Sequence, residues 1–364
     1  MKRIEAALDT SLCMYPLEKL GKKEEILFVD IETTGFTAKT SALYMIGCIV
    51  YETEWKIIQL MSENPTQQAQ ILQAFLSLLQ GKKTIITYNG DNFDIPYLKN
   101  KCKQFGLQSP LDGLTSIDLY KCISPFKKLL GLENCKQKTV EQFLNIERDD
   151  KFHGGELISI YNDYCATKSS YAYNVLLLHN ADDMRGMMRL TDLIAYHDLS
   201  KMDFRVVKVQ SNKYKDYFGN TKEEVLIKMR LNAPLPRQLT LGYLGCALSV
   251  TGDEAFIKVP IVRGEFKYFY DNYKDYYYLP NEDISLHKSV AGYVSKEFRK
   301  PATARTCYTR KEGVFLPQYD CIFEPVFKTD YDAKEAYFEL TGEFKKSQES
   351  FQTYAAHLVG KMLG

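Results

Sequence analysis

A chain of 364 residues with 47 basic and 46 acidic side chains, 45% hydrophobic and 26% charged, has the makeup of a globular protein of two domains or one large one. That excludes disordered, collagen-like and polybasic-tail classes, and a net charge of +1 supplies no overall attraction for nucleic acid. The compositional excess is aromatic: 26 Tyr and 20 Phe beside a single Trp.

The first half alternates strand and helix signals. The charged opening Met1-Lys-Arg-Ile-Glu lacks the apolar core of a signal peptide. Ile26 to Val29 is a short apolar run ending in Asp30, the pattern of a buried central strand. Ala42–Tyr51 and Trp55–Met61 read as strands joined by a tight turn at 52–54. Thr66–Leu79 puts Ile71, Leu72, Phe75 and Leu79 on one helical face behind Pro65. Thr84–Tyr88 is another strand, followed by an Asn89-Gly90 turn and a helix from about Ile95 to Phe105. Thr115–Tyr120 reads as a strand; 121–130, 139–144 and 169–197 read as helices. Interleaved strands and helices predict an α/β domain with a mixed central sheet covered by helices on both faces.

Beyond Asp203 the texture becomes β-rich. Strand-like segments at 204–209, 225–231, 255–262, 265–270 and 276–279 are punctuated by Ala233-Pro-Leu-Pro236 and Thr251-Gly-Asp253. A helix near 285–298, a hairpin at Lys311-Glu-Gly313 and a C-terminal helix over 343–362 follow. The predicted organisation is an α/β domain over 1–200, a boundary region over 201–222 and a β-rich α+β accessory domain over 223–364. Nine cysteines with no CxxC spacing read as reduced thiols in a cytoplasmic protein, and no apolar run approaches the roughly 18 residues of a membrane span.

The chemistry concentrates in carboxylates. In Val29-Asp30-Ile31-Glu32-Thr33-Thr34-Gly35-Phe36, Asp30 and Glu32 stand two apart at a strand end and so point to one face of the sheet. Such a pair is costly unless a cation or hydrogen bonds compensate it. Asp94 follows the Asn89-Gly-Asp-Asn-Phe run after the next strand, where the carboxyl ends of strands open a ligand crevice. In His179-Asn180-Ala-Asp182-Asp183, His179 and Asp183 are four apart on one helical face, while Asp182 is turned about 100° away. Four convergent carboxylates suit Mg²⁺ or Mn²⁺, and two such ions about 4 Å apart clamp an in-line phosphoryl displacement. Thr33, Thr34 and Gly35 have two readings, contact with a terminal nucleotide or shaping of the turn; Asn89 has the same two. Asp118 reads as the cap of the helix after its strand.

Val-Asp-Ile-Glu-Thr-Thr-Gly, Asn-Gly-Asp-Asn-Phe-Asp and His-Asn-Ala-Asp-Asp, in this order, resemble the three exonuclease motifs of the DEDD (DnaQ-like) superfamily, and over 24–199 the chain is most similar to its YprB-type domain. The resemblance implies a ribonuclease H-like fold and two divalent metal ions, Mg²⁺ or Mn²⁺, held by Asp30, Glu32, Asp94 and Asp183. It also implies 3′–5′ hydrolysis of nucleic acid, DNA or RNA, releasing nucleoside monophosphates. The family's general base is a Tyr four residues, or a His five residues, before the last Asp. His179 stands four before Asp183 and combines the residue of one subtype with the spacing of the other. The alternative from another class is a non-catalytic nucleic-acid-binding or scaffold protein built on the same fold.

Two features mark the accessory region. Residues 266–278 hold six tyrosines and two phenylalanines, and residues 287–311 hold seven basic side chains against the single acid Glu297. Single-strand binders combine such aromatics and cations, but tyrosines that fill strand faces beside a solvated charged face give the same pattern.

Overall fold

The computed structural model describes residues 1–152 and 154–364. They fall into two bodies, residues 1–201 with 233–237, and residues 202–232 with 238–364.

The first body is built on a six-stranded mixed sheet. Its strands are β1 (Lys2–Ala7), β2 (Ile26–Thr33), β3 (Leu43–Tyr51), β4 (Trp55–Met61), β5 (Thr84–Thr87) and β6 (Thr115–Asp118), in the order β1-β4-β3-β2-β5-β6. β5 runs parallel to both β2 and β6, and the other pairs are antiparallel. The helices are α1 (Gln68–Leu78), α2 (Asp94–Phe105), α3 (Leu119–Ile123), α4 (Gln137–Phe143), α5 (Gly154–Thr167), α6 (Ser170–Leu190) and α7 (Ile194–Ser200). Strand parity divides β2 between the two layers. Leu27, Val29 and Ile31 enter a core with Ile71, Leu72 and Phe75 of α1 and Ile95 and Leu98 of α2. Asp30 and Glu32 therefore face the opposite side, where α6 packs against β2. There Tyr44, Met45 and Met61 meet Leu157 and Tyr161 of α5 and Leu176 of α6.

β1 was not legible as a strand, because its charged residues alternate with half-buried ones on an edge position. The expected helix over 121–130 is only α3 and a 3-10 turn to Phe126, since Pro125 interrupts it. The long helix expected over 169–197 ends at Leu190 and resumes as α7.

In the second body β7 (Phe204–Lys215), β8 (Thr221–Tyr243) and β9 (Cys246–Pro260) form a three-stranded sheet. Most of the boundary region expected over 201–222 is β7, paired with β8. Ala233-Pro-Leu-Pro236 does not break β8, for Ala233 and Leu235 keep the buried alternation and both prolines fall on the half-exposed side. The next elements are β10 (Val262–Phe269), β11 (Tyr276–Leu279), β12 (Ile284–His287), α8 (Lys288–Ala291), β13 (Lys300–Pro301), β14 (Tyr308–Gln318), β15 (Phe327–Lys328) and β16 (Ala336–Glu339). β10, β14, β16 and β15 close a small barrel around Phe266, Phe315, Phe327 and Tyr337. β11, β12 and β13 form a separate three-stranded sheet.

Three expectations in this region are corrected. Lys311-Glu-Gly313 is the middle of β14, opposite Phe266, Glu265 and Gly264 of β10, rather than a hairpin turn. The helix expected over 285–298 is instead β12, the four residues of α8, which His287 caps through Ser289 N–H, and a 3-10 turn at Lys296–Phe298. The C-terminal helix is two, α9 (Gly342–Lys346) and α10 (Gln348–Leu363), because Ser347 breaks out to cap α10 through Ser350 N–H at 3.1 Å. α10 buries Phe351, Tyr354, Leu358 and Val359, and Gln348 and Gln352 bond the β7 backbone at Phe204 and Val206 beside its bulge. All nine cysteines are free thiols, and no helix of the described residues is long and apolar enough to cross a membrane.

Candidate metal centre

The parallel pairing of β2 with β5 brings their carboxyl ends to one edge of the sheet, and the site is assembled there. β2 contributes Asp30 and Glu32. The chain leaving β5 turns at Asn89, whose φ is +60°, and enters α2 at Asp94. Asp94 Oδ1 accepts the Ile31 N–H at 3.0 Å, so the start of α2 is tied to the strand carrying the first two acids. Asp118 caps α3 through Tyr120 N–H and accepts the N–H groups of Asn89 and Asp91, which fixes the loop after β5.

α6 supplies the remainder. Ser169 caps it through Ala172 N–H at 3.3 Å, and no proline or central glycine breaks its first four turns. Its inward stripe of Ala172, Val175 and Leu176 continues as His179, Asn180 and Asp183, so the buried face turns polar where the helix passes the acids. His179 Nε2 is 3.1 Å from Asp183 Oδ2 and 3.6 Å from Glu32 Oε1. One ligand atom each of Glu32, His179 and Asp183 lies within 4.8 Å of the other two, which is the spacing of donors around one cation. Asp182 turns away as helical rotation requires: its Oδ2 accepts from Asp149 and Asp150 N–H and its Oδ1 from Arg185.

The electrostatics are those of a crowded, dry acid cluster. Burial, reinforced by Glu32, Asp183 and Asp94, holds Asp30 well above the carboxylate range. Burial lifts Glu32 to about 7 against the opposing pull of His179, and it lifts Asp94 to about 7 despite the Ile31 hydrogen bond. For Asp183 burial is outweighed by His179 and Arg148, and the group sits below its ordinary value. His179 is raised to about 9, because the bond to Asp183 and the charges of Glu32, Asp183 and Asp150 overcome the effect of burial. So many carboxylates in one buried place favour a cation among them, and the oxygen-rich set of Asp30, Glu32, Asp94 and Asp183 fits Mg²⁺ or Mn²⁺.

Several supporting residues gave no sequence signal. Asp150 Oδ2 accepts His179 Nδ1 at 2.7 Å and Lys138 Nζ at 3.0 Å, which turns Nε2 toward the acids. Arg148 pairs with buried Glu141 at 2.9 Å and with Asp183 Oδ1 at 2.7 Å. Both come from the polar run Glu147-Arg-Asp-Asp150, which carries no motif of its own. Asn180 was visible as part of the third motif, one face-step from Asp183, but its work needs the sheet. Its Nδ2 donates to Asp30 Oδ2 at 3.1 Å while its Oδ1 accepts Gln59 Nε2 at 3.0 Å. Gly47, opposite Asp30 in β3, makes room: a Cβ there would lie 2.4 Å from Asn180 Oδ1. Asn180→Leu is expected to lower turnover about 10- to 100-fold with the fold intact, the usual effect of removing a partner that orients a ligand, and Gln59→Leu by less. Steady-state kinetics beside a thermal melt checks both.

Thr33, Thr34, Gly35 and Asn89 are engaged by their own loops. Thr33 Oγ1 donates to Gly35 O at 2.8 Å, Thr34 Oγ1 accepts Ala42 N–H at 2.8 Å, and Asn89 Oδ1 accepts Asn92 Nδ2 at 2.9 Å. These bonds shape the turns and are compatible with either of the two readings their sequence left open. The large apolar side chain facing solvent on the first loop is Phe36, 91% exposed and edge-on to Phe93 at 6.1 Å.

The first body has the ribonuclease H-like α/β fold, and the model of the RNase H superfamily matches residues 27–195. Among curated proteins, a DNA polymerase of Pyrococcus glycovorans is 33% identical over 109 residues, covering 27% of this chain and 14% of the polymerase. A DNA polymerase of Thermococcus kodakarensis is 32% identical over 109 residues, 27% of this chain and 6% of the polymerase. The chain thus spans only a small part of the curated relatives it matches. Among solved structures, the family B DNA polymerase of Pyrobaculum calidifontis aligns with 49% of this chain and 25% of its own at 17% identity and a TM-score of 0.39. Exonuclease I aligns with 56% of this chain and 54% of its own at 13% identity and a TM-score of 0.30.

Proposed function

We propose that the protein is a divalent-metal-dependent nuclease, a 3′–5′ exonuclease of the DEDD (DnaQ-like), YprB-type group acting on DNA or RNA. The observation that carries this reading is the convergence of Asp30, Glu32, Asp94 and Asp183, from β2, α2 and α6, into one buried cluster, where burial and neighbouring carboxylates raise Asp30, Glu32 and Asp94 while His179 and Arg148 hold Asp183 ionised. Two Mg²⁺ or Mn²⁺ ions held by these four would stabilise charge on the attacking and leaving oxygens of an in-line phosphodiester hydrolysis.

The chain's own residues hold the geometry. Asn180 and Gln59 fix the Asp30 carboxylate, and Ile31 N–H fixes Asp94. His179, oriented by Asp150, presents Nε2 to the acids and is the group available to accept a proton from the attacking water. That role needs the neutral imidazole, so positive charge placed among Glu32 and Asp183 must bring its pKa down from about 9. Phe36, exposed on the loop that follows Glu32, offers a ring face to a terminal base, and the 33–35 backbone is the neighbouring substrate contact. Nine unpaired cysteines support a reducing, cytoplasmic setting.

One observation favours the non-catalytic alternative: Arg148 already occupies Asp183 Oδ1, leaving Oδ2 as the oxygen for a cation. A panel of 5′- and 3′-labelled single- and double-stranded DNA and RNA, incubated with Mg²⁺ or Mn²⁺, separates the two readings. The proposal requires metal-dependent mononucleotide release from the 3′ end of at least one substrate; tight binding of every substrate without cleavage would establish the alternative.

A further inference from the structure

We propose that residues 288–300 of the second body form a binding surface for single-stranded nucleic acid, with Tyr293 and Phe298 stacking on bases and Lys288, Lys296 and Lys300 meeting phosphates. The choice of partner rests on the nuclease reading, and no residue of the acid cluster takes part.

The structure sorts the two sequence features of this region. The tyrosine-rich run is largely scaffold: Phe266 is in the barrel core, and Tyr270 and Tyr276 are stacked on each other at 5.1 Å. Much of the basic strip is neutralised, because Arg305 pairs with Asp332, Arg310 with Asp283 and Lys311 with Glu339. What is left open lies on the excursion that carries α8 and the turn to β13. Tyr293 is 95% exposed and Phe298 49%. Lys288, Lys296 and Lys300 are exposed, and among the described residues none of them forms a salt bridge.

This surface is braced from beneath. The Tyr277 ring of β11 has the Arg299 guanidinium 4.8 Å from its centroid and Lys288 Nζ at 5.9 Å, and Arg299 also bonds the Ala291 carbonyl at the end of α8. β13 pairs Lys300 with Tyr278 and so fixes where that lysine emerges. Exposed aromatic faces among uncompensated cations complement a flexible polyanion with free bases, since every base has a face to stack and every linkage a charge to meet. An anionic membrane would share the charge preference, but its interior rewards a broad aliphatic face, and among the described residues of 288–300 the exposed large aliphatic side chain is Val290.

The test uses the full chain in EDTA, which allows binding without turnover, and fluorescence anisotropy with labelled dT20 and U20. Tyr293→Ala/Phe298→Ala is expected to raise Kd about tenfold or more, whereas Tyr293→Trp/Phe298→Trp retains affinity. Lys296→Ala/Lys300→Ala is expected to reduce the slope of log K against log salt by about 1.4, near 0.7 for each phosphate no longer neutralised. Wild-type affinity and slope in all these variants overturn the proposal, and so does failure of the wild type to bind either oligonucleotide. Loss of binding to phosphatidylserine vesicles with dT20 and U20 binding untouched would overturn it in favour of a membrane surface. If the labelled-substrate panel finds no cleavage while these variants still lose binding, the nuclease reading falls and this surface stands. Cleavage with unaltered binding overturns the surface alone.

Discussion

Asp30→Asn is expected to lower phosphodiester hydrolysis by on the order of 10³ or more while leaving the chain folded and at least as stable as the wild type. Both halves have one cause. Asp30 is buried beside Glu32, Asp183 and Asp94, and desolvation and like charge make its ionised form costly. The amide removes that charge, keeps the shape and can still accept the Asn180 Nδ2–H that now reaches Asp30 Oδ2 at 3.1 Å. On the proposed reading hydrolysis would lose a ligand of the cation site, whose charge stabilisation would supply several kcal/mol of the barrier lowering, and each ~1.36 kcal/mol is tenfold in rate. Hydrolysis of an end-labelled oligonucleotide with Mn²⁺, beside a melt in EDTA, measures both. A structural acid would give the opposite pattern, with lowered stability and activity falling only in proportion.

The second large effect is on stability. Arg148→Met is expected to destabilise the protein by about 3–5 kcal/mol, the usual result of stripping one partner from a buried ion pair. Glu141 is fully buried, with both carboxylate oxygens bonded to Arg148 Nη1 at 2.9 and 3.1 Å and Oε1 also to Gln137. It lies against α6 where the helix carries Gly186, so closely that a Cβ there would be 1.9 Å from Oε1. Without Arg148 this carboxylate has no cation to answer it. Arg148→Met/Glu141→Met is expected to recover most of the loss, because replacing both partners removes the stranded charge. Urea unfolding of the two variants measures the difference; equal losses would show that packing rather than charge governs the site.

How far the site was legible follows from where each residue's partners lie. Asp30 and Glu32 declare themselves because strand parity alone puts them on one face, and His179 and Asp183 because four residues make about one helical turn. Asp94 follows from its place at the exit of a strand. Arg148, Asp150 and Gln59 act across 35, 29 and 121 positions, on Asp183, His179 and Asn180 respectively, and no local pattern marks such pairs. Thr33, Thr34 and Asn89 stood open between substrate and turn because the atoms that engage their side chains belong to the folded loops.

The α/β half was legible nearly to the residue at Trp55–Met61 and Thr84–Thr87, where apolar runs end in turn residues. The β-rich half was less so, since several of its Gly and Pro residues lie inside strands rather than at turns. Gly313 lies mid-strand against the Phe315 ring, 3.2 Å from where its Cβ would be, and Pro234 and Pro236 lie within β8. Glycine and proline signal turns only when no neighbouring strand has another use for a missing side chain or a missing N–H.

The proposed metal centre rests on four acids that would hold the cations between them, and the most direct measurement is the melting temperature with and without Mn²⁺ as a function of pH. Glu32 and Asp94 have folded values of about 7 against ordinary values of 4.5 and 3.8, and His179 about 9 against 6.5. At these three groups the folded chain therefore holds more protons than the unfolded one between about pH 4 and 9. The stability this contributes is full at the acid end and is lost as pH rises through 7 and then 9. In EDTA the melting temperature should fall across that window. Mn²⁺ competes with those protons, so the rise it causes should be larger at pH 8 than at pH 6. At a hundredfold excess over Kd it is worth about 2.7 kcal/mol, several degrees for a body of this size. Asp30→Asn should abolish most of that rise. An equal Mn²⁺ shift in wild type and Asp30→Asn, or none in either, would contradict the metal centre.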